Sequence, residues 1–261
     1  MTLLSIYTIA SIIFIYAPIV LLLVFSFNDS IYVAFPLKDF TWNWYQQLFN
    51  NSDIFVSFTN SLKVASLASL IATSLAVLAA KSVTRYQFRG KAPAVSLLML
   101  PMVIPEIVLG TSLLVLLMNS GFTLSLMTVT IGHIVLCTPF ALGVMISRFT
   151  GFDQSLEEAS FDLGEGVIGT FFRVTLPNIW PGIVASFLMC FLLSFDDFVI
   201  SFFLIGTEKT LPLHIWSQMR FAKKLPEVLA LGSCIFVGSL VVLTIAERLR
   251  RRGASQKEVQ P

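Results

Sequence analysis

Three acidic side chains draw attention because each lies near the middle of a long apolar run of the sequence. They are Glu106 and the adjacent Asp196 and Asp197. An ionisable residue at the centre of a bilayer costs about 2.5–3.5 kcal/mol on insertion scales, so such residues are rare and tend to be functional. Lys63 lies near the end of its run and can extend to the interface, so no cation compensates the acids at depth. This pattern predicts a path for a cationic solute or for protons.

A structural role stays open for each of these residues. The two aspartates would point about 100° apart on a helix, so both cannot face one point, and Asp196 is the preferred path residue. Either could instead be an interhelical hydrogen-bonding group, and protonated. Glu106 follows Pro105, which breaks the backbone ladder and disfavours helical geometry at Ile104. Such a break lines a cavity or forms a packed kink. We expect His133 to form an interhelical hydrogen bond.

The elements that position these residues are predicted to be membrane helices. The chain has 261 residues, of which 56% are hydrophobic and 12% charged, and its mean hydropathy is +0.85, values typical of membrane proteins. Crossing a bilayer takes about 20 apolar residues. Six runs are long enough, namely 5–27, 57–80, 94–118, 123–147, 182–205 and 227–247. We therefore expect an all-α membrane protein with one domain over 1–261, whose three cysteines are small buried side chains and not metal ligands.

Basic residues gather in three regions, which the positive-inside rule assigns to the cytoplasm. These are the segment 81–91, the loop after the fourth run and the tail 248–261. With six spans, both termini are then cytoplasmic. The fifth loop disagrees, because it lies on the predicted outside and carries Lys209, Arg220, Lys223 and Lys224. We follow the other three regions.

The loop 148–181 carries a pattern of helix, glycine and second short helix. Ser155-Leu156-Glu157-Glu158 has the form of a capping box, which predicts a helix start, and Gly164 is placed to end that helix. Apolar and acidic positions fall on separate faces: Leu156, Ala159 and Leu163 on one, and Glu158, Asp162 and Glu165 on the other. A short amphipathic helix in a loop of a membrane protein suggests docking to a soluble partner, although Glu158 could serve only as a helix cap.

Two nucleotide-binding patterns begin in the same loop, but neither fits its surroundings. The stretch 164–169 reads Gly-x-Gly-x-x-Gly, but a dinucleotide site needs a strand before it and a βαβ unit around it. Thr170-Phe171 follow where a P-loop requires Lys and Ser or Thr. We therefore expect no catalytic residues and no bound cofactor in this chain, with any ATP and magnesium held by another polypeptide.

The spacing of Glu158-Ala159, Gly164 and Leu176-Pro177 resembles the "EAA" loop of ABC-importer permeases. Ser160 stands where that family usually has a second alanine, and its small side chain should still permit close packing. The resemblance implies the type I importer fold, a set of membrane helices with a cytoplasmic coupling helix. It also implies that these five residues contact an ATPase subunit.

A second resemblance covers nearly the whole chain and is narrower. Ser194-Phe195-Asp196-Asp197-Phe198 resembles the permeases of polyamine importers for spermidine and putrescine. Further similar stretches are 16–18, 26–28, 86–91, 105–108, 151–153 and 211–213. Family members often have aspartate where this chain has Glu106, so the charge is kept on a longer arm. Because a polyamine alternates ammonium groups with methylenes, carboxylates and the rings of Phe195 and Phe198 suit it.

The resemblance also implies partners in the bacterial inner membrane. They are a second permease subunit of the PotB type, two copies of an ATPase of the PotA type and an extracytoplasmic binding protein of the PotD type. We expect membrane lipid and no nucleic acid as further contacts. Two rival functions remain. One is an ABC permease for another solute, such as an iron, phosphonate or sulfate system, and the other is a proton-coupled secondary transporter, whose folds often show internal repeats.

Overall fold

The computed structural model describes the backbone of residues 3–255 and the side chains of residues 4–240. Within these residues the chain is helical, and its only β pairing is an isolated bridge between Asn28 and Phe40. The helices in chain order are α1 (Leu3–Phe25), α2 (Asn43–Asn50), α3 (Ser52–Arg85), α4 (Lys91–Val103), α5 (Glu106–Asn119), α6 (Leu126–Thr150), α7 (Ser155–Asp162), α8 (Val167–Thr170), α9 (Leu176–Asp196), α10 (Val199–Leu204), α11 (Leu211–Met219) and α12 (Leu225–Ser255). A π-helical turn, Phe171–Thr175, joins α8 to α9, and a 3₁₀ turn, Ala222–Lys224, precedes α12.

The chain divides into two compact units. One combines Met1–Ile54 with Ile215–Pro261, and the other is Phe55–His214. In the first unit, α12 packs against α1 and α2, and Glu227 accepts hydrogen bonds from Asn51 and Lys224. The candidate site residues all lie in the second unit. The prediction of one domain over 1–261 stays a prediction.

The core of the second unit is built where α3, α6 and α9 meet. One face of α3 carries only small side chains at its buried positions, which lets the neighbouring helices approach closely. These positions are Ala65, Ala68, Ala72, Ala76 and Ala80. Large side chains of α6, Leu142, Met145 and Phe149, fill the space beside them. Cys137 and Cys190 are buried here as predicted, and the Cys137 thiol lies 3.5 Å from the carbonyl oxygen of Cys190. The same prediction is wrong for Cys234 of α12, which is only half-buried.

A second core cluster fixes the short helix α10 against α5 and α6. Ile200 and Leu204 of α10 are fully buried there, beside Leu113 of α5. Gly132 of α6 makes this approach possible, because a Cβ atom at that position would lie 2.4 Å from Leu204 Cδ1. The small residue thus sets the position of α10, and with it the chain break that precedes α10.

Four helices are long and apolar enough to cross a membrane, and a bent pair forms a fifth candidate, among the residues that the structure describes. The four are Leu4–Phe25, Ser52–Arg85, Leu126–Thr150 and Val167–Asp196. They correspond to the first, second, fourth and fifth predicted runs. The six spans are therefore not confirmed. The sixth run, 227–247, falls in α12, and its last part, like the tail 248–261, lies outside the residues whose side chains are described.

The third predicted span, 94–118, is a bent pair and not one straight helix. α4 and α5 meet at an angle of 108°. The break lies where the sequence placed it, because Ile104 is extended with φ −76° and ψ 131°, and Pro105 follows. At 13 and 14 residues the two helices are each about 20 Å long, too short to cross alone. Glu106 is the first residue of α5, directly after the bend.

The fifth predicted span, 182–205, is shifted towards the N-terminus. The continuous helical path runs from Val167 through the π-helical turn to Asp196, and the chain breaks at Asp197. Residues 167–181, predicted as loop, therefore belong to the spanning helix. Pro177 is accommodated in this path, because it lies in the first turn of α9 and the π-helical turn precedes it, whereas Pro181 lies inside α9.

Candidate functional site

The three carboxylates that the sequence singled out line one cavity. Glu106, Asp196 and Asp197 lie on the wall of a cavity of about 590 Å³, which opens on the surface of the second unit. The rest of its wall is apolar or aromatic, with Phe140, Met189, Leu192, Leu193, Phe198 and Val199. The chain breaks at Pro105 and Asp197 bring these acids together, since each acid adjoins a helix end.

The two aspartates are not on one helix, so the predicted separation of 100° is wrong. α9 ends at Asp196, and Asp197 has extended backbone angles of φ −67° and ψ 123°. The break sends the two side chains into different surroundings. Asp196 is exposed in the cavity, whereas Asp197 is only 8% exposed.

Asp197 is held by groups from α6 and α10. Its Oδ2 atom lies 3.0 Å from His133 Nε2 and accepts a hydrogen bond of 3.0 Å from the backbone N–H of Ser201, while Oδ1 accepts from Ile200 at 3.5 Å. The carboxylate therefore satisfies free N–H groups in the first turn of α10. His133 Nδ1 is 2.6 Å from Ser194 Oγ in α9. The interhelical hydrogen bond predicted for His133 is confirmed, and it joins α6, α9 and the α9–α10 break.

The two predicted aromatic path residues differ in position. Phe198 lies on the cavity wall. Phe195 is not among the residues that line this cavity; its ring stacks on Phe191 with centroids 5.9 Å apart and meets Phe58 edge-on at 6.0 Å. Phe140 of α6 is a lining residue that the sequence reasoning missed, because an aromatic residue in an apolar run gives no local signal.

The loop between α6 and α9 contains the predicted helix, but its start differs. α7 begins at Ser155, and the side chain of its N-cap residue, Gln154, makes no capping hydrogen bond. The predicted capping box of Ser155 and Glu158 is therefore not formed. Asp153 accepts a hydrogen bond from the Ser155 backbone N–H at 3.0 Å, and Glu158 accepts one from Gln154 at 3.0 Å. The backbone N–H of Ser155 is thus bonded to the Asp153 carboxylate, and Ser155 is the first residue of the helix instead of its N-cap. The main cause of the lowered pKa of Asp153 is that amide hydrogen bond.

Gly164 follows the end of α7 as the sequence predicted. Its φ of +87° lies in the left-handed region, which glycine adopts without steric cost. The segment 164–169 therefore joins two helices, whereas a dinucleotide fingerprint follows a strand. The other predicted coupling residues are accessible: Glu158, Ala159 and Pro177 are exposed, and Leu176 is half-buried at the start of α9.

The side chains of this loop leave an apolar surface uncovered. Leu163 is 86% exposed, and it is surrounded along the sequence by other large apolar side chains that are also exposed. We call this set the coupling surface: Leu156, Phe161, Leu163, Val167, Ile168 and Phe172. An exposed apolar patch of this kind marks an interaction site in many proteins.

The acid that faces inward in α7 is Glu157, which the sequence analysis did not single out. Glu157 is 5% exposed, and its Oε2 atom lies 2.6 Å from Arg85 Nε at the end of α3. Thr175, in the π-helical turn, donates to Glu157 Oε1 at 2.5 Å. A helical wheel separates Glu157 from Glu158 by about 100°, but it cannot tell which of the two faces the rest of the chain.

Comparison with known proteins assigns a family. The model of the family described as "Binding-protein-dependent transport system inner membrane component" matches residues 72–254. The spermidine/putrescine transport system permease protein PotC of Haemophilus influenzae is 35% identical over 240 residues, which is 92% of this chain and 93% of that protein. PotC of Escherichia coli is 36% identical over 239 residues, covering 91% and 90%. The putrescine transport system permease protein PotI of Escherichia coli is 32% identical over 252 residues, covering 94% and 89%.

A solved structure supports the fold. The crystal structure of a bacterial ABC transporter involved in the import of the acidic polysaccharide alginate contains a chain that superposes with a TM-score of 0.72, at 15% identity, over 95% of this chain and 94% of that one. The fold is thus that of an ABC-importer permease. The chain belongs to the family of inner membrane components of binding-protein-dependent transport systems, which are transport permeases and not enzymes.

Proposed function

We propose that this family member is the transmembrane permease subunit of an ATP-driven importer of polyamines, spermidine or putrescine, and that it forms half of the translocation path. The observation that carries the proposal is the convergence of Glu106, Asp196 and Asp197 on one cavity of about 590 Å³. The polyamine permeases at 32–36% identity over most of both chains support the same substrate class.

The cavity offers the groups that a linear polycation needs. Glu106 and Asp196 are exposed and can replace part of the hydration of an ammonium group. The face of the Phe198 ring can take a second ammonium group or a methylene spacer, and Leu192 and Met189 add apolar contacts. Asp197 is engaged by His133 and α10, so we assign it the role of placing Asp196. Because only these few side chains contact the polyamine, its binding is weak enough to allow release to the cytoplasm.

Phe195 keeps a supporting role in this proposal. Its ring lies between Phe191 and Phe58, so it fixes the last turn of α9 against α3. It therefore acts on the path through the position of Asp196, and not by contact with the polyamine.

A permease for an anionic solute fits the cavity less well. An anion path needs basic side chains or free helix N-termini. The cavity wall carries three carboxylates that would repel the solute, and Asp197 already accepts from the first-turn N–H groups of α10. The alginate transporter shows that the fold itself does not decide the charge of the cargo, because that protein imports an acidic polysaccharide.

A proton-coupled secondary transporter is the second alternative. One observation favours it: His133 contacts Asp197 at 3.0 Å beside the cavity that Glu106 lines, and such chains of titratable groups carry protons in other carriers. The coupling surface and the Gly164 turn would then have no function. Dependence on ATP separates the two mechanisms.

The partners in this proposal follow from the family and from the loop between α6 and α9. They are a second permease subunit of the PotB type, two copies of an ATPase of the PotA type that holds ATP and magnesium, and an extracytoplasmic binding protein of the PotD type. The coupling surface is apolar and flanked by the exposed acids Glu158 and Asp162, so it suits an ATPase groove with a basic rim. In this arrangement α7 is the coupling helix.

The orientation that brings α7 to the ATPase places both termini in the cytoplasm. The four basic residues of the fifth loop do not oppose this orientation strongly, because two of them have local partners. Lys224 bonds to Glu227 at 2.9 Å, and the Arg220 guanidinium lies 3.7 Å from the centre of the Trp216 ring. A cysteine at Gln87 should react with an impermeant reagent only from the cytoplasmic side, and one at Asn50 only from outside. The reverse labelling would invert the orientation.

Reconstitution tests the function directly. The chain is incorporated into vesicles with its partner subunits, and uptake of labelled spermidine is measured with and without ATP and the binding protein. We expect uptake that requires both, is competed by putrescine and spermidine, and is unaffected by sulfate or phosphonate. Uptake driven by a proton gradient without ATP would overturn the importer in favour of the secondary transporter.

A further inference from the structure

Glu157 connects three elements that the sequence separates widely. Its two carboxylate oxygens bind Arg85 at the end of α3, at 2.6 Å, and Thr175 in the turn before α9, at 2.5 Å. The Arg85 Nη2 atom also donates to the Phe152 carbonyl oxygen at 3.2 Å, and its guanidinium carbon lies 5.4 Å from the centre of the Phe152 ring. Arg85 and Glu157 are both largely buried, with 10% and 6% of their side chains exposed.

Of the two helices held by this cluster, α9 extends to the cavity wall and α3 extends to the segment that follows α10. α9 starts directly after Thr175 and ends at Asp196 on the cavity wall. α3 has 34 residues and is about 50 Å long, and its far end binds the segment that follows α10. There Asn60 donates to the Lys209 carbonyl oxygen at 3.1 Å, and Ser61 accepts from the Leu211 N–H at 2.8 Å.

α7 has few other polar attachments inside the chain. Ser160 and Thr170 share a hydrogen bond of 2.9 Å, which ties α7 to α8. The Glu158 carboxylate accepts a hydrogen bond from Gln154, four residues earlier, and the apolar side chains of α7 are exposed. A displacement of α7 therefore reaches α3 through Glu157 and Arg85, and reaches α9 through Glu157 and Thr175 or through α8.

We propose that Glu157, with Arg85 and Thr175, is a positioning element that transmits movement of α7 to α3 and α9, and hence to the cavity. The inference rests on the proposed function, because α7 moves only if an ATPase docks on it. The buried ion pair suits transmission, because the planar Arg85 guanidinium binds Glu157 through Nε and the Phe152 carbonyl oxygen through Nη2, and so ties α3 to the start of the loop as well as to α7.

Coupling between distant sites needs a measurement of coupling and not only a chain of contacts. The full complex is reconstituted with ATPase, partner permease and binding protein. Spermidine uptake and ATP hydrolysis are measured on the same vesicles, and both are normalised to inserted complex. The informative quantity is the uptake per ATP hydrolysed, because a purely structural defect lowers both rates in parallel and leaves their ratio unchanged.

We expect Glu157→Gln and Arg85→Gln each to lower the uptake per ATP about tenfold, since each removes a charge-assisted hydrogen bond. Combining Arg85→Glu with Glu157→Arg should restore part of the ratio, which measures the interaction between the two residues. Thr175→Val removes the hydroxyl that donates to Glu157 at 2.5 Å and lies 3.5 Å from the Thr170 carbonyl oxygen, and it should lower the ratio by roughly threefold. Thr175→Val also keeps the inference testable if the charge variants do not insert.

The matched control is Glu227→Gln. Glu227 is also 5% exposed and is paired, with Lys224, but in the other unit. We expect this variant to lower the amount of complex without a change in uptake per ATP. If wild-type complex shows no ATP-dependent uptake, the proposed function fails. If the wild type is coupled but Glu157→Gln, Arg85→Gln and Thr175→Val all keep its ratio, the positioning role is wrong and the proposed function stands.

Discussion

The cavity and the loop between α6 and α9 each contain a pair of adjacent acids, and each pair divides in the same way. Asp197 and Glu157 are buried, and Asp196 and Glu158 beside them are exposed. The buried acid accepts hydrogen bonds from two or more elements of the chain. In the proposed function, the exposed acid is the one available to another molecule, a cationic solute at the cavity and an ATPase at the loop.

The two pairs differ in the chemistry that holds the buried acid. Glu157 faces Arg85, whose charge is permanent, at the end of α3. Asp197 faces His133, whose Nε2 atom lies 3.0 Å from Asp197 Oδ2 and whose Nδ1 atom lies 2.6 Å from Ser194 Oγ. The buried acid of the loop thus has a guanidinium partner, whereas the buried acid of the cavity has an imidazole partner.

The largest effect should come from the exposed acids of the cavity. Glu106→Gln and Asp196→Asn keep shape and hydrogen-bonding capacity but remove the charge that replaces polyamine hydration. Hydrogen bonds to charged groups contribute about 1.5–3 kcal/mol, so uptake should fall roughly 10- to 100-fold while assembly persists. Labelled polyamine uptake is measured in cells that lack other polyamine importers and is normalised to inserted complex.

The control for this experiment is Asp53→Asn, which removes an exposed charge from the first turn of α3 at a residue that does not line the cavity. It should leave uptake unchanged. Near-normal uptake in Glu106→Gln, Asp196→Asn and Asp197→Asn alike would falsify the cation path and make all three carboxylates structural.

The next effect should separate the two members of the cavity pair. Asp197→Asn weakens the contact with His133 and the cap of α10, so we expect a loss of about 1–2 kcal/mol in stability. The variant should therefore lower the melting temperature and the amount of inserted protein more than Asp196→Asn does. Its uptake per inserted molecule should fall less.

Ser201→Ala provides a graded comparison, because it removes the hydroxyl that lies 3.2 Å from His133 Nε2 and leaves the cap in place. Its melting temperature should lie between those of the wild type and Asp197→Asn. Equal melting temperatures for Asp196→Asn and Asp197→Asn would contradict the division between a positioning acid and a path acid.

A smaller effect is expected at the exposed member of the loop pair. Glu158→Lys reverses a charge at the coupling surface, and a bulky residue at Gly164 must adopt φ +87°, which costs about 1 kcal/mol. Both changes should reduce spermidine-stimulated ATP hydrolysis a few-fold, because contact with the ATPase is weakened while the helices stay folded. An assembled complex with normal stimulated hydrolysis would remove Glu158 and Gly164 from the docking site.

Two of the places where the chain bends or turns were predictable from the sequence, because a proline or a glycine marks each of them. Pro105 indicated the bend before Glu106, and Gly164 indicated the end of α7. The break at Asp197 had no such signal, because it depends on a side chain that caps α10 and on His133, which is 64 residues away in the sequence. For that reason Asp196 and Asp197 are not related by the 100° step of a continuous helix.

Local patterns also predicted the apolar and acidic faces of α7, but not which of its side chains the rest of the chain buries. Leu156 and Leu163 of the predicted apolar face are exposed, whereas Glu157 is buried. The partner that buries Glu157 is Arg85, 72 residues earlier, and no spacing rule connects the two. Similarly, Val167–Asp196 is one helical path because a π-helical turn, Phe171–Thr175, connects α8 to α9 just before Pro177. Hydropathy does not predict such a turn.

The smallest effect is expected at Asp153, an acid that is exposed, like Glu158, but is hydrogen-bonded to the backbone. Asp153 accepts from the Ser155 N–H at the start of α7, and this bond holds its pKa below the usual 3.8. A carboxyl group whose pKa is lower in the folded state stabilises that state above its unfolded pKa, and loses this contribution as the pH falls through the folded value. Asp153→Asn keeps the acceptor oxygen but cannot titrate. We therefore expect the wild type to melt slightly higher than Asp153→Asn near pH 6, with the difference disappearing as the pH falls below about 3.8. Thermal melting of the purified chain in detergent over this pH range measures the difference, and a difference that grows towards acid pH would show that Asp153 is not a stabilising carboxylate at the start of α7.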